Sequence, residues 1–338
     1  SDAINLLYSF DARKQIRKLI NDTRPEIAHL NNIYHQISPS IIHELKRFGI
    51  PVVMSLRDYK MVCGSYMLLR EGQVCEACKG GRYHHGFLKK CHKSSRFISG
   101  LLTLEMYLHH RLLRIYDLVD YCIAPSRFLM NKVRDMGFKG RIAHIPNFVP
   151  VDQFHPQFTA TGNTVLYVGR LSSEKGVRTL VRAAGHLGQV CVKVIGDGPQ
   201  RRDLEREAQA VGGNNIEFLG YLDKARLREE IKSACLVVVP SECYENNPRS
   251  VIEAFALGKP AIGADIGGIP ELVRDHETGL TFESGNVLDL ADKIRYALAD
   301  SHRLEAWGRK GRAFVEKKLN AETHYAELTA IYREVLQK

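Results

Sequence analysis

The chain has 338 residues, of which 44% are hydrophobic and 25% are charged. At roughly 100 to 200 residues per domain, this length predicts two domains, each large enough to bury its own core. The composition is typical of globular proteins, so a disulfide-stapled miniprotein and a largely disordered chain are both excluded. No run of about 18 apolar residues occurs, which argues against a membrane-spanning helix.

The net charge of +10 is distributed unevenly along the chain. Residues 1–150 carry 23 Lys+Arg against 12 Asp+Glu, and residues 151–338 carry 25 against 26, so the halves have formal charges of +11 and −1. We therefore expect the first half to face something anionic, such as a membrane surface or a phosphorylated substrate. Nucleic acid is not predicted as a partner, because no DNA- or RNA-binding motif accompanies the charge.

In the first half, short apolar runs alternate with helical patterns. The spacing predicts helices over 11–21, 40–48, 100–116 and 128–136, and strands over 26–30, 52–56, 121–124 and 142–146. Residues 60–95 are rich in Gly, Lys, His and Cys without a sustained period, so they are predicted to be an excursion from the fold.

After a linker around 150–163, a second alternation begins. Strands are predicted over 164–168, 190–195, 216–219, 235–240, 260–263 and 280–282, and two helices over 301–338. Short β-rich runs separated by helices indicate parallel sheets. The predicted fold class is therefore α/β, with one domain over 1–150 and a complete doubly wound domain, including the C-terminal helices, over 151–338.

Two loops that follow predicted strands have residues suited to a diphosphate. The loop after 164–168 carries Arg170 and Lys175, which offer a bidentate fork and a point charge. The turn Gly196-Asp197-Gly198 follows the next strand, but Arg201 stands where a dinucleotide fingerprint needs its third glycine. Taken alone, the first loop is as well explained by a solvated surface loop, and the second by a structural turn.

A third loop holds two glutamates eight residues apart. Glu245 precedes a predicted helix and Glu253 lies inside it, so their carboxylates are roughly 12 Å apart along the helix axis. That separation suits two hydroxylated rings on either side of a diphosphate, with the backbone N–H groups of Asn246 and Asn247 facing the phosphates. The alternative is a pair of solvated glutamates near a helix start.

Together these motifs, with Phe218-Leu219-Gly220 and Gly267-Gly268-Ile269-Pro270-Glu271, closely resemble the retaining family 4 glycosyltransferases of GT-B fold, especially those that build capsular, exopolysaccharide or O-antigen chains. The resemblance implies two Rossmann-like domains facing a cleft. It also implies transfer of a sugar from a nucleotide-sugar, a UDP-sugar or a GDP-sugar, to a glycan or lipid-linked acceptor. No cofactor is implied for catalysis. The alternative is a catalytically weak nucleotide-sugar-binding protein or partner subunit.

The resemblance also assigns roles to residues of the second domain. The catalytic residues would be Arg170 and Lys175, which neutralise the leaving diphosphate, and Glu245, which holds the donor sugar. Glu253 would hold the ribose. The remaining donor-binding positions would be Gly169, Gly196, Gly198, Gly220, Asn246 and Asn247.

The first domain departs from the family in two ways. Members begin with a strand and a Gly-Gly loop that have no counterpart here, so a curtailed first domain is expected. Arg57 stands where the family has a histidine, before Asp58, and an arginine can contact phosphate but cannot act as a base. The predicted acceptor-side residues are Arg57, Asp58 and His29, although His29 is equally well explained as a structural histidine.

Four cysteines lie close together in the excursion and are called the cysteine cluster below: Cys63, Cys75, Cys78 and Cys91. Their spacing is compatible with a tetrahedral structural zinc site, with free thiols or with a disulfide. Because no secretory signal is recognisable, we expect a reducing, cytoplasmic environment.

Further partners follow from the charge and from the incomplete first domain. Basic residues flank the apolar stretch 97–108, namely Lys89, Lys90, Lys93 and Arg96 before it and residues 109–114 after it. This arrangement suggests either peripheral contact with the anionic inner face of the cell membrane or a solvated helix face. A curtailed sheet would leave the strand at 26–30 as an apolar edge, covered by residues 3–8, by a second copy of the chain, or by a membrane or partner protein.

Overall fold

The computed structural model describes residues 7–34, 37–92, 94–159, 162–212 and 214–337. The chain divides into two compact units: unit 1 is Ser1–Pro146 with Tyr325–Lys338, and unit 2 is Asn147–His324. The sequence placed the whole C-terminal tail in the second domain, and the structure differs. Apolar residues near the C-terminus pack into a cluster of unit 1 that contains Val53, Ile123, Ile145, Ile331 and Val335.

Unit 1 is built around a four-stranded parallel sheet in the order β1-β2-β5-β6. The strands are β1 (Ala28–Asn31), β2 (Val52–Ser55), β5 (Tyr121–Ala124) and β6 (Ile142–His144), and a hairpin of β3 (Leu69–Arg70) and β4 (Gln73–Val74) lies apart from them. The helices are α1 (Phe10–Thr23), α2 (Ile41–Arg47), α3 (His84–Leu88), α4 (Arg96–Tyr107) and α5 (Arg127–Asp135).

The helix predicted over 100–116 begins four residues earlier and ends sooner than expected. Ser95 starts α4 because its side-chain oxygen accepts a hydrogen bond from the Ile98 N–H, an N-cap that shifts the helix start. The helix then changes to a π-helical turn over Leu108–Leu112. Within α4, Glu105 is fully buried and forms an ion pair with the buried Lys60 (2.7 Å), which joins the excursion to the sheet domain.

Unit 2 contains a six-stranded parallel sheet in the order β12-β11-β10-β7-β8-β9. Its strands are β7 (Thr164–Val168), β8 (Cys191–Ile195), β9 (Ile216–Gly220), β10 (Leu236–Val239), β11 (Ala261–Ala264) and β12 (Gly279–Phe282). The central strands β10 and β11 are buried throughout, as expected for parallel strands covered on both faces.

The helices of unit 2 alternate with these strands. They are α6 (Val177–Ala184), α7 (Arg201–Ala210), α8 (Lys224–Ser233), α9 (Arg249–Ala256), α10 (Ile269–Leu272), α11 (Val287–Leu298) and α12 (Ser301–Lys318); the last helix, α13 (Ala321–Leu336), begins in unit 2 and continues into unit 1. In chain order the sheet reads 3-2-1-4-5-6, so the winding reverses between β7 and β10. Ligands of doubly wound sheets bind at the carboxyl ends of the strands at this reversal.

Candidate active site

The predicted donor loops of unit 2 all lie at the carboxyl edge of its sheet. Gly169, Gly196 and Gly220 are at the ends of the neighbouring strands β7, β8 and β9, and backbone hydrogen bonds join them. The Gly169 N–H donates to the Ile195 carbonyl (3.0 Å), and the Gly196 N–H donates to the Gly220 carbonyl (2.8 Å). The strand order therefore brings together loops that are far apart in the sequence.

The residues at the winding reversal include an ion pair that the sequence did not predict. The Lys175 ammonium, after β7, contacts the Glu245 carboxylate, after β10. The same carboxylate oxygen accepts a hydrogen bond from the buried Ser241 hydroxyl (3.0 Å). Burial lowers the pKa of Lys175, but the charge and the hydrogen bond of Glu245 outweigh it and raise that pKa overall, so Lys175 is charged.

Two glycines allow the loops to approach this closely. Gly196 has a φ of 131°, and a Cβ there would lie 1.8 Å from the carbonyl oxygen of Gly169. A Cβ on Gly267, whose φ is 65°, would lie 2.4 Å from the carbonyl oxygen of Glu245. Both contacts are too short for any side chain, so these positions require glycine. Gly267 belonged to a motif recognised in the sequence, but its packing against Glu245 was not predicted.

Arginines supply positive charge at the same edge. Arg170 is exposed, and within the described part of the chain no ion pair engages its guanidinium. Arg201 starts α7 and lies against Gly220, since a Cβ on that glycine would be 3.0 Å from its guanidinium. Arg201 also contacts Glu205 (2.9 Å) and Asp197 (3.6 Å). The sequence analysis noted Arg201 only because it stands where a dinucleotide fingerprint has its third glycine. Its positive charge, shortly after the Gly196-Asp197-Gly198 turn, could have predicted it as a further diphosphate-binding residue.

The remaining donor-side residues lie around α9. Burial raises the pKa of Glu253, opposed by the positive charges of Arg249, Arg228 and Lys224. Glu253 thus faces the cations of α8 as well as its own helix. The buried Asn247 accepts two hydrogen bonds from Asn147, one to its side-chain oxygen and one to its backbone carbonyl, both 3.0 Å.

The other two predicted donor-binding residues are Gly198 and Asn246. Gly198 follows Asp197, whose carboxylate accepts a hydrogen bond from the Gly198 N–H (2.7 Å). Asn246 is half-buried beside Asn247, before α9. No side chain of a described residue caps the start of α9, so N–H groups of its first turn remain available to an anion.

Of the predicted acceptor-side residues of unit 1, two lie beyond the end of a strand and the third lies within a strand. Arg57 is exposed and Asp58 half-buried just beyond the carboxyl end of β2, and burial raises the pKa of Asp58. His29 lies within β1 rather than at its end. Its two ring nitrogens contact the Ser55 hydroxyl (2.8 Å) and the Tyr332 hydroxyl (2.5 Å), which favours the structural interpretation of this histidine.

The cysteine cluster is placed in the excursion of unit 1. All eight cysteines are free thiols, so the structure gives no support to the disulfide interpretation. Among the described residues, no group of three or more His, Cys, Asp or Glu side chains is arranged to hold a metal ion. In the part of the chain that is described, no helix is both long enough and apolar enough to span a bilayer.

Comparison with known proteins finds a family match in the second half of the chain. Residues 150–314 match the family described as glycosyl transferases group 1. These residues lie within unit 2. The match covers the three donor loops, both glutamates and Arg170, Lys175 and Arg201.

Individual relatives resemble part of the chain. Alpha-D-kanosaminyltransferase of Streptomyces kanamyceticus is 31% identical over 176 residues, which are 51% of this chain and 45% of that protein. The lipopolysaccharide core biosynthesis glycosyltransferase LpsE of Rhizobium meliloti is 29% identical over 189 residues, 54% of this chain and 55% of that protein. The matched segments thus span about half the length of these relatives.

A solved structure resembles nearly the whole chain. Anabaena Alr3699/HepE, crystallised with UDP-glucose, matches with a TM-score of 0.71 over 95% of this chain and 82% of that protein, at 17% identity. At this identity the similarity concerns the fold alone. The predicted GT-B-like α/β fold class is confirmed.

Proposed function

We propose that the protein is a retaining glycosyltransferase that moves a sugar from a nucleotide-sugar to a glycan or lipid-linked acceptor. The observation that carries the proposal is the grouping at the winding reversal of unit 2, where the exposed Arg170 and the Lys175–Glu245 ion pair border the turn at Gly196. Cations, backbone N–H groups and a carboxylate are the groups that a diphosphate and a sugar require.

The donor would lie across these loops. Arg170 and Lys175 contact the diphosphate, and the open N–H groups at the start of α9 add to the positive potential. Glu245 accepts hydrogen bonds from sugar hydroxyls, and Glu253 accepts them from the ribose. Asn147 fixes the loop between the two glutamates through its two bonds to Asn247.

In the transfer step the bond between the anomeric carbon and the diphosphate oxygen breaks, and a bond to the acceptor hydroxyl oxygen forms. The acceptor proton passes to the departing diphosphate, on the same face of the sugar, so no protein nucleophile is needed. Because negative charge develops on the leaving group, Arg170 and Lys175 stabilise the transition state more than the ground state. We propose that these side chains replace a metal ion in this role.

The donor is proposed to be a UDP-sugar, with a GDP-sugar as the alternative. The structure of Alr3699/HepE, a protein of similar fold, contains UDP-glucose, which favours the first. The proposed acceptor is a glycan or a lipid-linked acceptor; the Rhizobium relative is named for lipopolysaccharide core biosynthesis, which supports this proposal. In unit 1, Arg57 and Asp58 remain the proposed acceptor-side residues.

Calorimetric titration with UDP and GDP, followed by assays of nucleotide release from a panel of sugar donors, tests the proposal. Arg170→Ala should weaken nucleotide binding by about ten- to a hundredfold, the range expected for a charge-assisted contact of roughly 1.5–3 kcal/mol. Arg206→Ala is the matched control, because Arg206 is 78% exposed on α7 and pairs only along its own helix with Asp203. Binding without release or transfer for any donor would favour the nucleotide-sugar-binding alternative.

The anomeric configuration of the product distinguishes retention from inversion. We expect the sugar to keep the anomeric configuration that it has in the donor, as measured by NMR of the isolated product. An inverted product would contradict the same-face mechanism and leave the donor site intact. Activity that persists in excess chelator is expected, and its loss and recovery with added divalent cation would contradict metal independence.

Contact with a membrane is the proposed role for an apolar face on unit 1. Phe97 and Leu112 are 80% and 76% exposed, and Leu88 and Leu104 are also exposed near them. The basic residues Lys90, Arg96, Arg111 and Arg114 are exposed in the same stretch; Lys93 lies outside the described residues. An apolar face with basic neighbours suits the surface of an anionic bilayer.

Co-sedimentation with anionic and neutral vesicles tests this contact. We expect binding to anionic vesicles that weakens as salt rises, and loss of binding in Phe97→Ser. Leu288→Ser is the control, because Leu288 is 59% exposed on α11 of unit 2. Equal binding of both variants, or none to anionic vesicles at low salt, would contradict the proposal.

A homodimer is proposed for the edge of the unit 1 sheet. Among the described strands β1 pairs only with β2, so its outer side is a free edge of the kind that strands of other chains can extend. Of the segment 3–8 that was predicted to cover it, residues 3–6 lie outside the described residues. Leu7, which is described, accepts a hydrogen bond from His109 (2.6 Å). Light scattering should give twice the chain mass, and a monomer at all concentrations would contradict this proposal.

A further inference from the structure

A cavity of about 760 Å³ lies in unit 1, between the excursion and the segments on either side of β5. Its walls come from three parts of the chain: the excursion, residues 110–117 before β5, and residues 136–140 before β6. All of them belong to unit 1, whereas the proposed donor loops belong to unit 2. The volume is in the range of cavities that bind small organic molecules, and it is larger than a single ion fills.

The described lining residues carry more positive than negative charge. The charged side chains are those of Arg111, Arg114 and Lys139 against Asp117. Arg114 and Asp117 form an ion pair with each other (2.6 Å). Arg111 and Lys139 are both exposed, and no ion pair joins either of them to a described residue. Two cations without a carboxylate partner therefore remain, and they favour an anionic ligand.

Local structure positions Arg111 in the wall of this cavity. It lies in the π-helical turn that follows α4, and such turns occur frequently at functional sites. Its guanidinium donates a hydrogen bond to the Gly80 carbonyl (3.1 Å), which leaves further N–H groups for a ligand. A Cβ on Gly81 would lie 2.7 Å from the same guanidinium, so glycine at this position leaves room for it.

The wall also contains two buried polar atoms that lack a partner. The rings of His110 and Tyr116 pack together with their centroids 4.6 Å apart. Tyr116 is 2% exposed, and neither its hydroxyl nor the His110 Nε2 makes a hydrogen bond within the described part of the chain. Buried polar atoms are seldom left unpaired in native proteins. A ligand in the cavity can pair with them directly or through a water molecule.

The remaining wall is largely apolar, with the buried Met61, Val62 and Met136 among its residues. We propose that the cavity binds an organic phosphate monoester. The phosphate contacts Arg111 and Lys139, and the organic part lies against the apolar wall. An arginine offers a fork of N–H groups to phosphate oxygens, and a lysine adds a point charge. A phosphate monoester suits two cations better than a carboxylate does, because it carries nearly two negative charges at neutral pH.

Two sources share this chemistry: a soluble phosphate ester and the headgroup of an anionic phospholipid. Leu112 follows Arg111 in the chain, is 76% exposed and belongs to the apolar face of unit 1 that is proposed to contact a membrane. The structure therefore favours the lipid headgroup. This inference does not depend on the donor site, because the cavity is formed by unit 1 alone.

Calorimetric titration with glycerol 3-phosphate tests the cavity with a soluble probe. Arg111→Gln and Lys139→Gln should each weaken binding by about tenfold, the effect of losing one charge-assisted contact. Arg82→Gln is the matched control and should bind normally. Arg82 is exposed in the same excursion and donates to a nearby carbonyl (3.1 Å), as Arg111 does, but it does not line the cavity. Arg170→Ala should also bind glycerol 3-phosphate normally, and a loss there would place the probe in unit 2 and overturn the proposal.

Co-sedimentation with two kinds of anionic vesicle distinguishes the sources. Phosphatidic acid exposes a phosphate monoester and phosphatidylserine does not, so vesicles of equal surface charge differ in the group that the cavity would bind. We expect stronger binding to phosphatidic acid, a preference that Arg111→Gln should remove and Arg82→Gln should keep. Equal binding to both vesicles, together with binding of glycerol 3-phosphate, would support the soluble source. The proposal would be overturned if glycerol 3-phosphate did not bind and phosphatidic acid was not preferred, or if Arg82→Gln had the same effect as Arg111→Gln.

Discussion

Replacing Lys175 with methionine tests two effects of this lysine: the stability that its ion pair with Glu245 provides, and the binding of the nucleotide diphosphate. The Glu245 side chain is 15% exposed and that of Lys175 31%. Without the ammonium, the carboxylate keeps only the hydrogen bond from Ser241, so a partly desolvated charge loses its partner. We expect a cost of about 1–3 kcal/mol. In a unit of this size that corresponds to a fall of roughly 2–10 °C in the unfolding temperature.

Glu245→Gln should have a smaller effect on stability. The more exposed ammonium can turn to water, and the amide keeps a hydrogen-bond acceptor for Ser241. The double variant should recover part of the loss, with a coupling energy of about 1–2 kcal/mol, since two neutral side chains leave no unpaired charge. Urea denaturation of the four proteins gives this coupling directly.

The two variants should also differ in nucleotide binding. Lys175→Met removes a diphosphate contact and should weaken UDP binding by about ten- to a hundredfold. Glu245→Gln removes the carboxylate that competes with the diphosphate for Lys175, so UDP should bind at least as tightly as to wild type, while turnover of the sugar donor falls. If Glu245→Gln weakened UDP binding as much as Lys175→Met, or if the two stability effects simply added, the assignment of the pair would be refuted.

Three further predictions concern single positions. Burial lowers the pKa of His110 to about 3 in the folded protein, against 6.5 in the unfolded chain. As the pH falls below 6.5, the unfolded chain therefore binds a proton that the folded protein does not. The stability that is present above pH 6.5 is then lost by about 1.4 kcal/mol per pH unit until the pH reaches about 3. His110→Gln should flatten this dependence in pH-resolved urea denaturation, and His302→Gln should not. Gly196→Ala should abolish UDP binding in calorimetry because its Cβ would overlap a carbonyl oxygen, whereas Gly188→Ala, also at positive φ but in open space, should bind normally. Ser241→Ala should lose about 1 kcal/mol of stability in thermal unfolding and slow sugar transfer.

The strands of unit 2 were predicted nearly residue by residue. The predicted range 164–168 coincides with β7, and the others differ from the observed strands by one residue at one end or at both ends. This accuracy has a physical cause: a parallel strand covered on both faces is an unbroken apolar run, and glycine or proline marks its ends. The helix start at Arg96 was missed because a serine cap, rather than apolar periodicity, determines it.

The position of the last helix could not be predicted for a different reason. Its apolar spacing indicates a face to be buried, but nothing in that spacing distinguishes the surface of one domain from that of the other. Ile331 and Val335 pack beside Val53 in unit 1, and the Tyr332 hydroxyl contacts His29. His29, which the sequence predicted as an acceptor-side residue, is thus in contact with a residue about 300 positions later in the chain.

The ion pair of Lys175 and Glu245 shows what residue types alone leave undetermined. Each was predicted as a ligand-binding residue, one for the diphosphate and one for the sugar, and their separation of 70 positions gave no sign that they touch. Their contact depends on the strand order, which places β7 beside β10. Under the proposed function, the ion pair links sugar recognition to diphosphate recognition. We expect a sugar hydroxyl that engages Glu245 to weaken the hold of Glu245 on Lys175, so that the charge of Lys175 becomes available where the leaving group becomes negative.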